Sequence, residues 1–207
     1  MREVVFWLRL QELVEISGLH KKAPFHFMDT SGGYQPACCA FISQQELEDW
    51  LAGTRNENTV YDAAELGIRL PDVYASEFFF HEQASNYIST LAYMRMTNDL
   101  VALEIENYEL LFAAFVILHE YGHWLHFRRC HKSSLDYVIW LNKQLAPVEQ
   151  QRRVLDMIPD TEPLKEDLVA EHIDVYNAMP QEFSANKYAL KHLPAFYAKI
   201  LRYQRRA

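Results

Sequence analysis

The sequence predicts a helix-dominated α+β fold, and three observations carry this prediction. An apolar run from Leu110 to Leu118 lies in a segment long enough to form one buried helix. From Ser133 onward, prolines divide the chain into stretches with helical periodicity. Between Val73 and Ile105, clusters of aromatic and branched side chains are separated by Asn and Asp, a pattern typical of strands.

The composition indicates a folded chain and excludes several classes of protein. Half of the 207 residues are hydrophobic and 14% are aromatic, which is ample for a substantial core. The formal net charge of −8 argues against nucleic acid as the main ligand, and no apolar run is long enough for a membrane span. With three cysteines and no secretory pattern at the N-terminus, we expect a cytoplasmic location.

The N-terminal elements are predicted from amphipathic spacing and from capping residues. A helix is expected near Glu3 to Ile16, followed by a loop from Ser17 to Pro36 that is rich in Gly, Pro and Ser. The segment Ser43-Gln44-Gln45-Glu46 has the form of a capping box, so a second helix is predicted from there to Leu51. Gly53 is expected to end it.

The remaining elements are predicted from aromatic clusters and from prolines. We expect two or three strands, packed on the long apolar helix, at Tyr74, Phe78 to Phe80, Tyr87 to Tyr93 and Leu100 to Ile105. Helices are predicted over Ser133 to Leu145, Pro147 to Ile158 and Glu162 to Tyr176, with two more beginning at Pro180 and Pro194.

The most informative motif is the His-Glu-x-x-His sequence from His119 to His123. Asn107 resembles a helix start, and a helix from Asn107 to Phe127 would bury the motif in the core. With about 3.6 residues per turn, His119 and His123 share one helix face, so both imidazoles can bind one ion while Glu120 projects beside it. The motif therefore predicts half of a zinc site together with its general base.

The third ligand must come from another segment, because catalytic zinc sites use three protein ligands and keep a fourth position open. Glu182 is the favoured candidate, since it lies in the first turn of the amphipathic helix predicted after Pro180. The rival group is Glu171, His172 and Asp174, in a stretch whose acidic residues are typical of a solvated helix face.

Asn186 lies one turn after Glu182, on the same face of the predicted helix. Its amide oxygen can accept the free ring N–H of a ligand histidine, which would leave the other ring nitrogen available to the metal. We therefore expect Asn186 to support the site from beside the ligands.

The motifs HEYGHW and EFSANKYA together resemble those of the ImmA/IrrE-type zinc metallopeptidases. The resemblance covers the chain from about Tyr87 to Leu193. It implies that Zn²⁺ is bound by His119, His123 and Glu182, with Glu120 as the base and Asn186 as the neighbour of the third ligand. It also implies a zincin-like core, with a small β-sheet packed on the motif helix.

This resemblance leads to a predicted domain organisation and function. Residues 87–207 are expected to form the zinc metallopeptidase core, with a helical insertion at 131–178. Residues 1–86 are expected to form an N-terminal extension of helices and loops packed on that core. The predicted activity is cleavage of a specific protein partner in regulatory, stress-related or mobile-element proteolysis. The candidate partners are a transcriptional repressor and the product of a neighbouring gene.

Two other functions share much of this pattern. One is a non-catalytic module that keeps zinc for structure and binds or regulates a protein. Structural zinc sites, however, are usually closed by four ligands and rich in Cys, and here a Glu follows the first His where a base belongs. The other is a protease toxin or effector, which would carry the same motifs.

Some further residues have chemistry that the predicted function leaves unassigned. Cys38 and Cys39 could sense redox state or block the zinc with a thiolate, although adjacent cysteines in an apolar context are more often buried small side chains. His81 and Glu82 are expected to be a surface pair at the end of a strand. The hydroxyl that stabilises the oxyanion has three candidates by residue type alone, namely Tyr121, Tyr137 and Tyr188.

Overall fold

Helices and one small sheet make up the fold. The computed structural model describes residues 8–56, 58–85, 87–98, 107–130, 132–159 and 161–206. The helices in these ranges are α1 (Leu10–Ser17), α2 (Gln44–Leu51), α3 (Ala75–Ser85), α4 (Tyr87–Asn98), α5 (Tyr108–Arg129), α6 (Ser134–Asp156), α7 (Leu164–Ala178) and α8 (Pro180–Gln204). The strands are β1 (Phe25–Met28), β2 (Cys38–Ala40) and β3 (Gly67–Pro71). The predicted helix-dominated α+β class is thereby confirmed.

The sheet has the strand order β1-β3-β2. The β1 strand runs parallel to β3, with Phe25 opposite Ile68, and β2 runs antiparallel to β3, with Cys39 opposite Ile68. Both β2 and β3 contact α5. A small sheet is therefore packed on the motif helix, as predicted, and β2 forms one of its edges.

The predicted position of the strands between Val73 and Ile105 is wrong for the described residues. Residues 75–85 form α3 and residues 87–98 form α4, while residue 86 and residues 99–106 lie outside the described part of the chain. In α3, buried or partly buried side chains recur at helical spacing, at Ala75, Phe78, Phe79 and Glu82. The aromatic content suggested strands, but the period of burial is that of a helix.

The actual strands lie in segments with weak strand patterns. The predicted loop from Ser17 to Pro36 contains β1. The strand β2 follows Pro36 and β3 begins at Gly67, where strands were not predicted. These strands are three to five residues long, too short to show a clear alternation of burial.

Two prolines lie inside helices where the sequence predicted breaks. Pro147 lies within α6 and Pro194 within α8. The two helices predicted on either side of Pro147 are therefore one continuous helix, and the same holds for the two predicted on either side of Pro194. A proline removes one backbone hydrogen bond, and the packing of the flanking turns can hold the helix together across it. At the other end of the chain, the predicted first helix is confirmed as α1 from Leu10. Its predicted start near Glu3 is not, because the described residues Leu8 and Arg9 are not helical and Arg9 has extended backbone; residues 1–7 lie outside the described part.

The helix starts predicted from capping residues are confirmed. The Asn107 side chain accepts a hydrogen bond from the Leu110 amide at 2.9 Å and caps α5. The Ser43 hydroxyl accepts one from the Glu46 amide at 3.2 Å and caps α2, and Gly53 follows α2 with a φ of +70°. Nearly every residue of α5 up to Trp124 is buried, so the motif lies in the core.

A single hydrophobic core unites both predicted segments of the chain. Its buried members include Leu10, Ile68 and Phe78 from the first segment, together with Phe112 and Ile200 from the second. Residues 1–86 thus contribute to the same core as the motif helix. None of the described helices combines the length and apolar character needed to cross a membrane.

The motif helix approaches α8 very closely at Gly122. A Cβ placed on Gly122 would lie 2.6 Å from the Ala185 Cα and 3.0 Å from the Ala185 carbonyl oxygen. Only a residue without a side chain permits this approach, and Ala185 and Ala189 keep the facing surface of α8 small and buried. The close contact brings the first turn of α8 beside the motif histidines.

Replacing Gly122 with Ala is expected to destabilise the protein by about 1–3 kcal/mol, because the clash is with backbone atoms that cannot swing away. The gain in helix propensity is at most about 1 kcal/mol and does not offset this cost. Urea unfolding measures the difference. Gly32→Ala is the control, since its added Cβ would meet no atom within 4 Å. Equal stability of Gly122→Ala and the parent would contradict the close approach.

Candidate metal centre

The α5 helix brings a buried His-Glu-His group to one place. His119, Glu120 and His123 are 1%, 7% and 9% exposed, and ligand atoms of all three lie within 4.8 Å of one another. The Nε2 atoms of the two histidines are 2.9 Å apart, as expected for residues one turn apart on the same face. This group could hold a metal ion.

The α8 helix adds a second carboxylate to this group. Oε2 of Glu182 lies 3.4 Å from Nε2 of His119, and Oε1 lies 3.5 Å from Nε2 of His123. Glu182 is 5% exposed. The carboxylate therefore faces both imidazoles at once.

The rival third-ligand group lies elsewhere. Glu171 and Asp174 are exposed on α7. His172 is buried, but its Nδ1 lies 3.3 Å from Oε1 of Gln151, and its ring borders a separate small cavity. Of the two predicted alternatives, only Glu182 approaches the motif histidines.

Burial and charge shift the pKa values of these groups in opposite directions. Burial by itself lowers the pKa of His123, but the negative charge of Glu182 outweighs it and raises the pKa to about 9. For Glu182, burial acts to raise the pKa, yet the two histidines hold it well below its usual value. Burial raises the pKa of Glu120 against the opposing effect of both histidines. The site thus favours an anionic Glu182 that needs positive charge beside it.

The group opens into a cavity of about 380 Å³ whose walls come from six helices and the edge strand. Its lining includes Glu82 from α3, Tyr93 from α4, His119, Glu120 and His123 from α5, Leu141 and Leu145 from α6, Tyr176 from α7, and Gln181 and Glu182 from α8. Pro36, Ala37, Cys38, Cys39 and Phe41 also line it, in and around β2. The cavity is thus bordered both by the motif residues and by the strand β2.

The prediction that His81 and Glu82 form a surface pair is wrong. Glu82 is 6% exposed and lies in the cavity wall. Its Oε1 accepts a hydrogen bond from the Tyr34 hydroxyl at 2.6 Å and one from the Ala37 amide at 3.3 Å. The Tyr34 ring stacks on His81 with 4.6 Å between ring centroids. His81 and Glu82 therefore hold the segment that leads into β2. The sequence prediction missed this role because it treated the segment of α3 as a strand.

The predicted tyrosine candidates for the oxyanion do not line the cavity. Tyr121 and Tyr188 pack against each other, with 5.3 Å between ring centroids, and the Tyr137 hydroxyl lies 2.8 Å from Nδ1 of His126. Among the described residues, the tyrosines that line it are Tyr93 and Tyr176, and neither was a predicted candidate. Burial, followed by nearby phenol and carboxylate groups, raises the pKa of Tyr93 well above its ordinary value.

Asn186 is buried on α8, but the hydrogen bond predicted for it is not formed. Its Nδ2 donates to Oδ1 of Asn177 at 3.1 Å. Among the described residues, neither Oδ1 of Asn186 nor Nδ1 of His119 has a hydrogen-bond partner. The Asn186 oxygen is an unused acceptor. Nδ1 of His119 is the ring nitrogen that carries the proton when Nε2 binds a metal. Support of a ligand histidine by Asn186 stays a prediction.

The adjacent cysteines face the same cavity as the motif. Cys38 is exposed and Cys39 is partly buried, so the expectation of two buried small side chains holds only in part. Burial of the thiol, followed by the charge of Glu120, raises the pKa of Cys39. A raised pKa favours the neutral thiol at neutral pH. Regulation of a metal by these cysteines stays a prediction.

Comparisons with known protein families, with curated proteins and with solved structures gave no match. The resemblance to the ImmA/IrrE-type peptidases therefore depends on the two motifs alone. The geometry of the site does not depend on that resemblance. This geometry is the main support for the function proposed below.

Proposed function

We propose that this chain is a zinc-dependent metallopeptidase of the ImmA/IrrE type that cleaves a specific protein partner. The observation that carries the proposal is the convergence of two imidazoles and the Glu182 carboxylate, with Glu120 beside them, on one cavity. Two nitrogen ligands, one oxygen ligand and an adjacent free carboxylate form the donor set of a catalytic zinc site.

Two of the three separations between the donor atoms fit zinc. Metal–ligand bonds of about 2.0–2.1 Å in a tetrahedral shell place neighbouring ligand atoms about 3.4 Å apart. The two carboxylate–imidazole separations, 3.4 and 3.5 Å, match this edge. The imidazole pair, at 2.9 Å, is about 0.5 Å closer than this ideal edge. A cation would also balance the buried charge of Glu182, whose Oε2 has no hydrogen-bond partner among the described residues.

Glu182 is a better ligand than Glu120 on geometric grounds. Each oxygen of Glu182 faces the Nε2 of a different histidine. Glu120 follows His119 directly, and a step of one residue turns the side-chain direction by about 100° around the helix. Glu120 is therefore placed beside the ion and is free for proton transfer.

The chain's own residues would divide the work of hydrolysis. A bound zinc ion supplies Lewis acidity, which polarises the peptide carbonyl and makes water more acidic. Glu120 takes a proton from the attacking water and passes it to the departing amine as the C–N bond breaks. The edge strand β2 can align an extended peptide by backbone hydrogen bonds.

The zinc-loaded protein is expected to cut one or a few folded partners and to leave casein largely intact. The reason is that side chains between Pro36 and Phe41, together with Tyr176 of α7, line the proposed catalytic cavity and restrict which peptides reach it. Proteins encoded beside this chain, incubated with it and analysed by mass spectrometry, provide the test. Glu120→Gln protein serves as the control for contaminating proteases. Rapid digestion of casein at many sites would refute selectivity, and cleavage that persists in the control would refute the activity.

A further inference from the structure

The Tyr93 hydroxyl lies beside His119 of the proposed metal site. Its Oη is 3.2 Å from Nε2 of His119, the atom that would bind the ion. Tyr93 belongs to α4, so this contact joins a separate helix to the motif helix. The ring is held by packing against Phe115 and His119, with centroid separations of 5.1 and 5.0 Å. The hydroxyl is thus held in place by packing before any ligand arrives.

Metal binding changes what this hydroxyl can bond to. Nε2 of His119 has one lone pair, and coordination uses it. The Tyr93 proton then needs another acceptor, and Tyr93 is 8% exposed, which restricts its access to bulk water. A phenol hydroxyl buried without an acceptor is costly, so it will donate to the oxygen that occupies the open side of the site. During catalysis, that oxygen belongs to the substrate.

We propose that Tyr93 is a catalytic residue, whose hydroxyl donates a hydrogen bond to the scissile carbonyl oxygen as that oxygen gains negative charge. This inference rests on the proposed function above. The phenol keeps its proton throughout, so the hydrogen bond stabilises charge without transferring a proton. A positioned donor of this kind acts where charge develops and needs no reorganisation at the moment of reaction.

Tyr93 is preferred to the other phenol in the cavity. Tyr176 lines the same cavity, but among the described residues no hydrogen bond joins its hydroxyl to either motif histidine. The Tyr93 hydroxyl faces the nitrogen of His119, and that acceptor is lost when a metal binds.

Tyr93→Phe removes only the hydroxyl, and Tyr108→Phe is its matched control. The Tyr108 hydroxyl lies 3.1 Å from Oγ1 of Thr97, so it also links α4 to α5, but away from the cavity. If Tyr93 served only to join these helices, the two variants would behave alike. The parent and both variants are loaded with Co²⁺, whose visible spectrum reports the ligands of the site. Acetohydroxamate is then titrated as a probe whose oxygen takes the position of the substrate carbonyl.

We expect the parent and both variants to bind cobalt at equal stoichiometry. Acetohydroxamate should bind Tyr93→Phe about 10–100-fold more weakly, the loss expected for one hydrogen bond to a charged group, and Tyr108→Phe like the parent. On any peptide that the parent cleaves, Tyr93→Phe should lower kcat about 100-fold with little change in KM.

Two results would overturn the role of Tyr93 while leaving the metal centre intact. One is equal acetohydroxamate affinity in Tyr93→Phe and the parent. The other is loss of cobalt from Tyr93→Phe alone, which would make the hydroxyl a ligand or a structural group. Failure of the parent itself to bind cobalt would remove the proposed function, and the role of Tyr93 with it.

Discussion

Glu120→Gln is expected to retain the metal and to lose peptide hydrolysis, with kcat lower by about 10²–10⁴-fold. Gln has nearly the same shape as Glu but cannot accept the proton of water. Because the proposed ligands are His119, His123 and Glu182, which faces both histidines, the substitution of Glu120 leaves them unchanged. Metal analysis of the purified variant and its kcat on a cleaved partner measure the two parts of the prediction.

The control for this variant is Glu171→Gln, which makes the same chemical change at an exposed position on α7. It should match the parent in metal content and in rate. Folding of Glu120→Gln should be preserved, because burial already disfavours the charged form of this carboxyl, and thermal unfolding tests that. If Glu120→Gln cleaved as fast as the parent, Glu120 would not be the base.

Glu182→Ala is expected to weaken zinc binding by more than about 100-fold, while Glu171→Ala leaves it unchanged. The two oxygens of Glu182 each face the Nε2 atom of one motif histidine, and if Glu182 is a ligand its loss removes one of three protein–metal bonds. Glu171 is exposed on α7 and makes no contribution to the cavity lining. Competition with a chromophoric chelator measures both affinities under the same conditions.

Glu182→Gln separates the loss of a ligand from the loss of packing. Its amide fills the same space as the carboxylate but binds zinc poorly, so its zinc affinity should resemble that of Glu182→Ala. In the metal-free state, by contrast, the stability of Glu182→Gln should be closer to that of the parent than the stability of Glu182→Ala is. Equal zinc retention by Glu182→Ala and Glu171→Ala would show that Glu182 is not a ligand.

Local physical rules were sufficient for the elements whose signals are short-range. The capping side chains of Asn107 and Ser43 marked the starts of α5 and α2, because an N-cap depends only on the next few residues. The spacing of His119 and His123 placed both rings on one helix face for the same reason. The composition of residues 75–98 misled the prediction, since aromatic residues suit buried helices as well as strands.

The sequence by itself determined the motif helix, its burial and the favoured carboxylate on α8. Tertiary structure decided which other groups meet them, because those groups lie far away in the chain and their meeting depends on packing. Gly122 and Ala185 allow α5 and α8 to approach closely enough for Glu182 to face the histidines. Packing of α3 and α4 on α5 turns Glu82 and Tyr93 into the same cavity. Helical periodicity gives the direction of each side chain around its own axis, and only packing between helices gives its neighbours.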